Sequence, residues 1–225
     1  MRAWLLAAVC LAATPILAEP DAALRVEYSD PALMPASWTL VLHPDGSAHF
    51  HAERGTAVPD AGPGSGQDDE PSMEPAVVDR DVRLSGEFAG RVFDTVRRRH
   101  NLRGVDCESH MKVAFQGWKT LTYSGPDGGG SCRFNYSKDK EIQMLGESFV
   151  AVASTIMEGA RLELILLHDP LGLDHEMEFM QEAEHDGRLQ ELGAIRGILE
   201  KLREDPAVMV RVRRRAQLLL ADATK

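Results

Sequence analysis

Three histidines are the residues of this chain whose spacing comes nearest to a metal site. His49 and His51 alternate along Ser47 to Glu53, and His43 stands across a short Pro44-Asp45-Gly46 turn from Ser47. Residues two apart on an extended strand share a face, so pairing His43 with Ser47 turns all three imidazoles to one surface. Imidazole is a good ligand for zinc or copper, and Glu53 offers a carboxylate beside it. The same residues also fit an ordinary polar strand face turned to solvent or to a partner, and both readings stand at this point.

A second cluster is His175, Glu178, Glu182 and His185, whose spacing places them along one stripe of a helix. Carboxylate metal centres in helix bundles recruit such stripes from several helices, and the zinc-protease His-Glu-x-x-His pattern is missing, so a solvated charged face is the simpler reading. For covalent catalysis the sequence has no Gly-x-Ser-x-Gly element. Its 35 Asp and Glu residues make some glycosidase-like pair of acids conceivable without pointing to one.

Cysteine usage points outside the cytoplasm. Arg2 followed by the apolar run Trp4 to Ala13, a break at Thr14-Pro15 and the small Ala18 before Glu19 has the form of a signal peptide over residues 1–18, cleaved between Ala18 and Glu19. The polar Glu19-Pro20-Asp21 ends the apolar run too early for a membrane span. Cys10 leaves with that peptide, and the two remaining thiols, Cys107 and Cys132, are expected to pair as a disulfide in an oxidising compartment. A zinc site from Cys107, His110 and Cys132 is the alternative, with only three ligands at irregular spacing.

The elements that must position these groups are legible from periodicity. Leu24 to Tyr28 alternates, and Ser37 to His43 and Ser47 to Glu53 flank Pro-Asp-Gly, a hairpin whose register puts Trp38, Leu40, Leu42, Ala48, Phe50 and Ala52 on its core side. The stretch 55–76 carries four prolines and four glycines and reads as a mobile loop or linker. Val77 to Leu84 is expected to be extended, and Ser85 caps a helix presenting Phe88, Val92, Phe93 and Val96. Lys112 to Phe115, Trp118 to Tyr123 and Cys132 to Ser137 read as further strands, with a Gly-rich hairpin loop over Ser124 to Ser131.

From Asp139 onward the period is helical. Gly159, Gly172 and Gly187 punctuate that run, and two last helices are expected over Leu189 to Arg203 and Pro206 to Ala221. Leu192, Ile195, Leu199 and Leu202, then Asp205-Pro206-Ala207-Val208, Arg211, Arg214-Arg215-Ala216 and Leu219 resemble one HEAT-type helical repeat over about 192–220. In that family two antiparallel helices stack into a solenoid used for protein binding, which would make the tail a protein-contacting surface.

The sequence therefore predicts an α+β protein, an antiparallel sheet with one packed helix over 19–137, followed by an all-helical region over 138–225. A net charge of −10 disfavours broad nucleic-acid binding, and no second long apolar run suggests a membrane span in the mature chain. The expected role is a non-enzymatic protein of the cell envelope or secreted fraction that contacts other proteins. A periplasmic zinc- or copper-binding protein using His43, His49 and His51, and a hydrolase of unidentified acids, are the two alternatives.

Overall fold

A computed structural model describes residues 22–54 and 74–223. The signal segment with its Ala18-Glu19 cleavage point, and positions 55–73 of the expected linker, lie outside the described residues. The chain is α+β: a six-stranded antiparallel sheet backed by helices, with further helices at the C-terminal end.

The strands are β1 (Ala23–Ser29), β2 (Ser37–Leu42), β3 (Ser47–Glu53), β4 (Val77–Arg83), β5 (Trp118–Gly125) and β6 (Gly128–Phe134), in the order β4-β3-β2-β1-β5-β6. The first hairpin closes as its residues dictate. Gly46 takes φ +82°, its N–H donates to the His43 carbonyl, and His43 N–H donates to Ser47. Leu42 then faces Ala48, Leu40 faces Phe50 and Trp38 faces Ala52, all six buried on the core side. Ser85 caps α1 (Gly86–Arg98) by accepting the Phe88 N–H, and Phe88, Val92, Phe93 and Val96 pack under the sheet.

Two expectations about the second β segment need correction. Positions 112–117 are not a strand, although they connect the disulfide to β5. The glycines expected in a hairpin loop instead lie within β6, and only Pro126 and Asp127 turn the chain between Gly125 and Gly128. The reason is a close crossing: a Cβ on Gly130 would lie 2.4 Å from the Leu102 backbone, so glycine lets the short 3-10 turn His100–Leu102 lie directly on the strand. Cys107 and Cys132 form a disulfide with Cα atoms 5.8 Å apart, fastening the segment after that turn to β6. Closing a loop of this length stabilises the fold by about 3 kcal/mol.

The remaining elements are α2 (Lys140–His168), α3 (Leu173–His185), a 3-10 turn at Leu192–Ile195, α4 (Arg196–Glu204) and α5 (Val210–Asp222). Asp139 caps α2 through the Glu141 and Ile142 N–H groups. This helix of 29 residues serves two cores, and the sheet therefore carries two helices where one was expected. Ile142, Leu145, Phe149, Val152 and Ile156 join α1 beneath the sheet, whereas Leu162 and Ile165 belong to a second cluster with α3, α4 and α5. Among the described residues no helix is long and apolar enough to cross a membrane.

Gly159 does not break α2 as its helix-weakening character suggested. A Cβ there would lie 2.3 Å from Ile195 Cγ2, so the glycine admits the 3-10 turn against the helix. One turn earlier the buried Thr155 hydroxyl donates to the Gln190 carbonyl (2.7 Å) and accepts the Gln190 N–H (3.0 Å), securing the same connection. The last two helices start later than expected. Residues 192–195 wind as the 3-10 turn before α4, and Asp205 ends α4 and organises a turn by accepting the Ala207 N–H, leaving α5 to begin at Val210. The segment resembling a HEAT repeat thus holds α4 and α5, whose Leu199, Leu202, Val212 and Ala216 are buried in the second cluster with Met177 and Met180 of α3.

Replacing Gly159 by Ala is expected to lower unfolding stability by about 1–3 kcal/mol through overpacking against Ile195. In urea titrations the Gly159→Ala, Ile195→Ala double variant should cost clearly less than the sum of the two single changes, because the small residue at 195 removes the clash.

Candidate functional site

The histidine face lies on the side of the sheet away from the helices. Val41 pairs with His49 and Thr39 with His51, and on the other flank Asp81 faces His49 and Asp79 faces His51. His49 and His51 each meet carboxylates. His49 Nδ1 is 2.9 Å from Asp81 and its Nε2 is 3.7 Å from Asp79, while His51 Nδ1 is 2.7 Å from Asp79 and its Nε2 is 3.3 Å from Glu53. His43 lies beyond them at the strand end, with Nδ1 3.3 Å from the Ala22 carbonyl. Hydrogen bonds to Asp79 and Glu53 raise the His51 pKa above that of an ordinary histidine. Carboxylates on both of its ring nitrogens favour the His51 imidazolium, whereas a metal requires the neutral ring. Among the described residues no group of three or more His, Cys, Asp or Glu side chains is arranged to hold a metal ion.

His175, Glu178, Glu182 and His185 are exposed along α3, and Met177 and Met180 face the core as expected. His110 stands near Asp106, and the sulfurs of Cys107 and Cys132 are committed to each other. The basic run on α5 is partly engaged: Arg211 Nε is 2.8 Å from Asp174, and Arg215 also pairs with Asp174.

The sequence pattern did not single out the groups that line the interior. A cleft of about 460 Å³ opens between α2 and α3, walled by Val150, Ala151, Phe179 and Leu189 and bordered by Lys119, Glu147, Ser154, Glu158 and Arg188. Such a volume suits a small organic molecule. A wider depression of about 1050 Å³ beside the α1 N-terminus is more polar. One of its central groups, Glu191, already accepts the Ser85 N–H and hydroxyl, so that surface is engaged in holding α1.

Lys119 forms one end of the cleft and is buried on the core face of β5. Its Nζ donates to the carbonyls of Gln116 (3.2 Å), Gly117 (3.1 Å) and Asn135 (3.1 Å), while the rings of Tyr28 and Phe134 stand 5.9 and 5.8 Å away. Burial lowers its pKa, opposed by Glu147, Glu108 and Asp30. With three N–H bonds satisfied by backbone, this amine is a structural cation that closes the 116–119 corner.

At the other end, the carboxyl group of Glu158 on α2 neighbours that of Glu176 on α3, and Glu158 Oε2 and Glu176 Oε1 are buried without a hydrogen-bond partner. Two neighbouring carboxyl groups away from water repel each other unless one of them carries a proton. Burial first, then the contact with Glu176, pushes the Glu158 pKa up to about 8, against the pull of Arg161. Arg161 Nη2 binds Glu176 at 3.2 Å and Nη1 approaches Glu74 at 3.4 Å.

The chain matches no protein-family model and no curated protein. The functional reading consequently rests on the geometry of these two places.

For the outer face, an NMR titration is expected to show the His51 ring losing its proton at higher pH than an unperturbed histidine. Asp79→Asn should return that midpoint towards the ordinary value. The associated stability is present below the ordinary histidine range and is lost as pH rises through the elevated midpoint. An unchanged His51 midpoint in Asp79→Asn would contradict the assigned contact.

Proposed function

We propose that this is an exported, non-enzymatic binding protein that holds a small ligand in the cleft between α2 and α3. The observation carrying this reading is the cleft itself: apolar walls from Val150, Ala151, Phe179 and Leu189, with a carboxyl group, Glu158, among its borders. A concave, mostly apolar site with a few polar groups and a perturbed ionisation is the usual form of a small-molecule site. Export rests on the features of residues 1–18, and the Cys107–Cys132 disulfide is compatible with it.

The lining also indicates binding without covalent chemistry. Lys119, the amine that could form an imine with a carbonyl compound, has its donors bound to three backbone carbonyls. Burial and the neighbouring Glu176 favour the protonated form of Glu158, and Arg188 stacks 5.3 Å from the Phe179 ring while pairing with Asp186. What is left for a ligand is apolar surface and one acid.

A ligand-observed NMR screen of small amphiphilic molecules against the mature chain tests this. Binders should shift backbone signals of Val150, Ala151, Phe179 and Leu189 and lose affinity at least tenfold in Ser154→Phe, which fills the cleft from α2. Binders that map instead to His49 and His51, or bind Ser154→Phe unchanged, would move the function to the sheet face.

A further inference from the structure

Where α2 passes α3, the buried charges do not balance. Glu176 is only 5% exposed, and its Oε1 and the Oε2 of Glu158 are buried atoms with no hydrogen-bond partner. Arg161 is the cation in contact with Glu176, and its guanidinium is shared with Glu74. A proton on Glu158, favoured by burial and by the neighbouring Glu176, offsets the excess negative charge. It is held there because two carboxylates cannot both ionise in contact away from water.

Glu158 is the member of this group that lines the cleft. The other charged borders are already matched. Lys119 is held by carbonyls, Glu147 accepts from Gln143 at 2.7 Å, and Arg188 pairs with Asp186 at 3.3 Å. From α2, α3 and the segment before β4, the ionisable groups facing Glu158 are Arg161, Glu176 and Glu74. A bound anion would add to the negative charge here, and a neutral molecule would leave the proton in place. A cation can replace it.

Resting on the cleft as the binding site, we infer that its ligand class is a small organic amine: a primary ammonium group paired with Glu158, on a short apolar body lying against Val150, Phe179 and Leu189. The exchange balances, because Glu158 gives its proton to solvent as the ammonium arrives, so one positive charge takes the place of another and the net charge of the group is unchanged. No bond other than that O–H is broken.

Three probes of equal chain length decide the matter by calorimetry on the mature protein: n-hexylammonium, n-hexanol and n-hexanoate. The amine is expected to bind most tightly, and heats measured in buffers of different ionisation enthalpy should show about one proton released per ligand at pH 7. Its affinity should rise about tenfold from pH 6 to pH 7 and level off above pH 8, as the competing proton leaves a group titrating near 8. Glu158→Gln, which keeps the shape of the side chain, should abolish the proton release and weaken amine binding at least tenfold. If hexanol or hexanoate binds as tightly as the amine, or the amine binds without releasing a proton, the amine assignment is overturned and the cleft stands as a site for another ligand. If none of the three binds, the cleft reading and the amine assignment both fall.

Discussion

The fold depends on one helix being shared by two cores. A helix of 29 residues is about 43 Å long, more than the sheet alone needs to cover its inner face. The first part of α2 buries Phe149, Val152 and Ile156 against the strands, and its end buries Leu162 and Ile165 among α3, α4 and α5. Side chains from both clusters therefore share one rigid backbone. Thr155 and Gly159, at the crossover, fix the chain returning from α3 by a hydroxyl clip and a close approach.

That arrangement makes a cleft unavoidable. As α3 leaves α2 through Gly172 and returns through Gly187, the wedge between them is bounded by the 116–119 corner on one side and by residues 187–189 on the other. Polar groups buried at the two ends are handled differently. Lys119 keeps a charge by binding three carbonyls, whereas burial and the neighbouring Glu176 favour a proton on Glu158. The first satisfies the demand that a buried polar group have a partner, and the second leaves a group that can change state when a ligand arrives.

Much of the sheet was legible because local chemistry and burial agree there. Pro44-Asp45-Gly46 fixed one register, and from it followed the core face and the side on which His49 and His51 lie. Ser85 and Asp139 marked helix starts through their caps. The glycines of β6 misled because their role is tertiary: nothing near 130 in sequence announces that residues 100–102 will cross it. Lys119 and Glu176 each had a readable signal. Lys119 shares the face of Leu121 and Tyr123, and Glu176 sits inside the buried stripe of Leu173, Met177 and Met180, so both had to be buried charges. That Glu176 meets Glu158 was not legible, since it requires knowing that α3 folds back along α2.

The most direct measurement is the titration of the Glu158 side chain, followed by its carboxyl carbon resonance in the mature protein with Glu158→Gln as the assignment control. A midpoint near pH 8, falling in Glu176→Gln but staying above the ordinary carboxylate range because burial is its leading cause, is the expected result. A midpoint at the ordinary value of a solvated glutamate would mean that Glu158 is charged at neutral pH, and the charge-neutral cleft between α2 and α3 would be wrong.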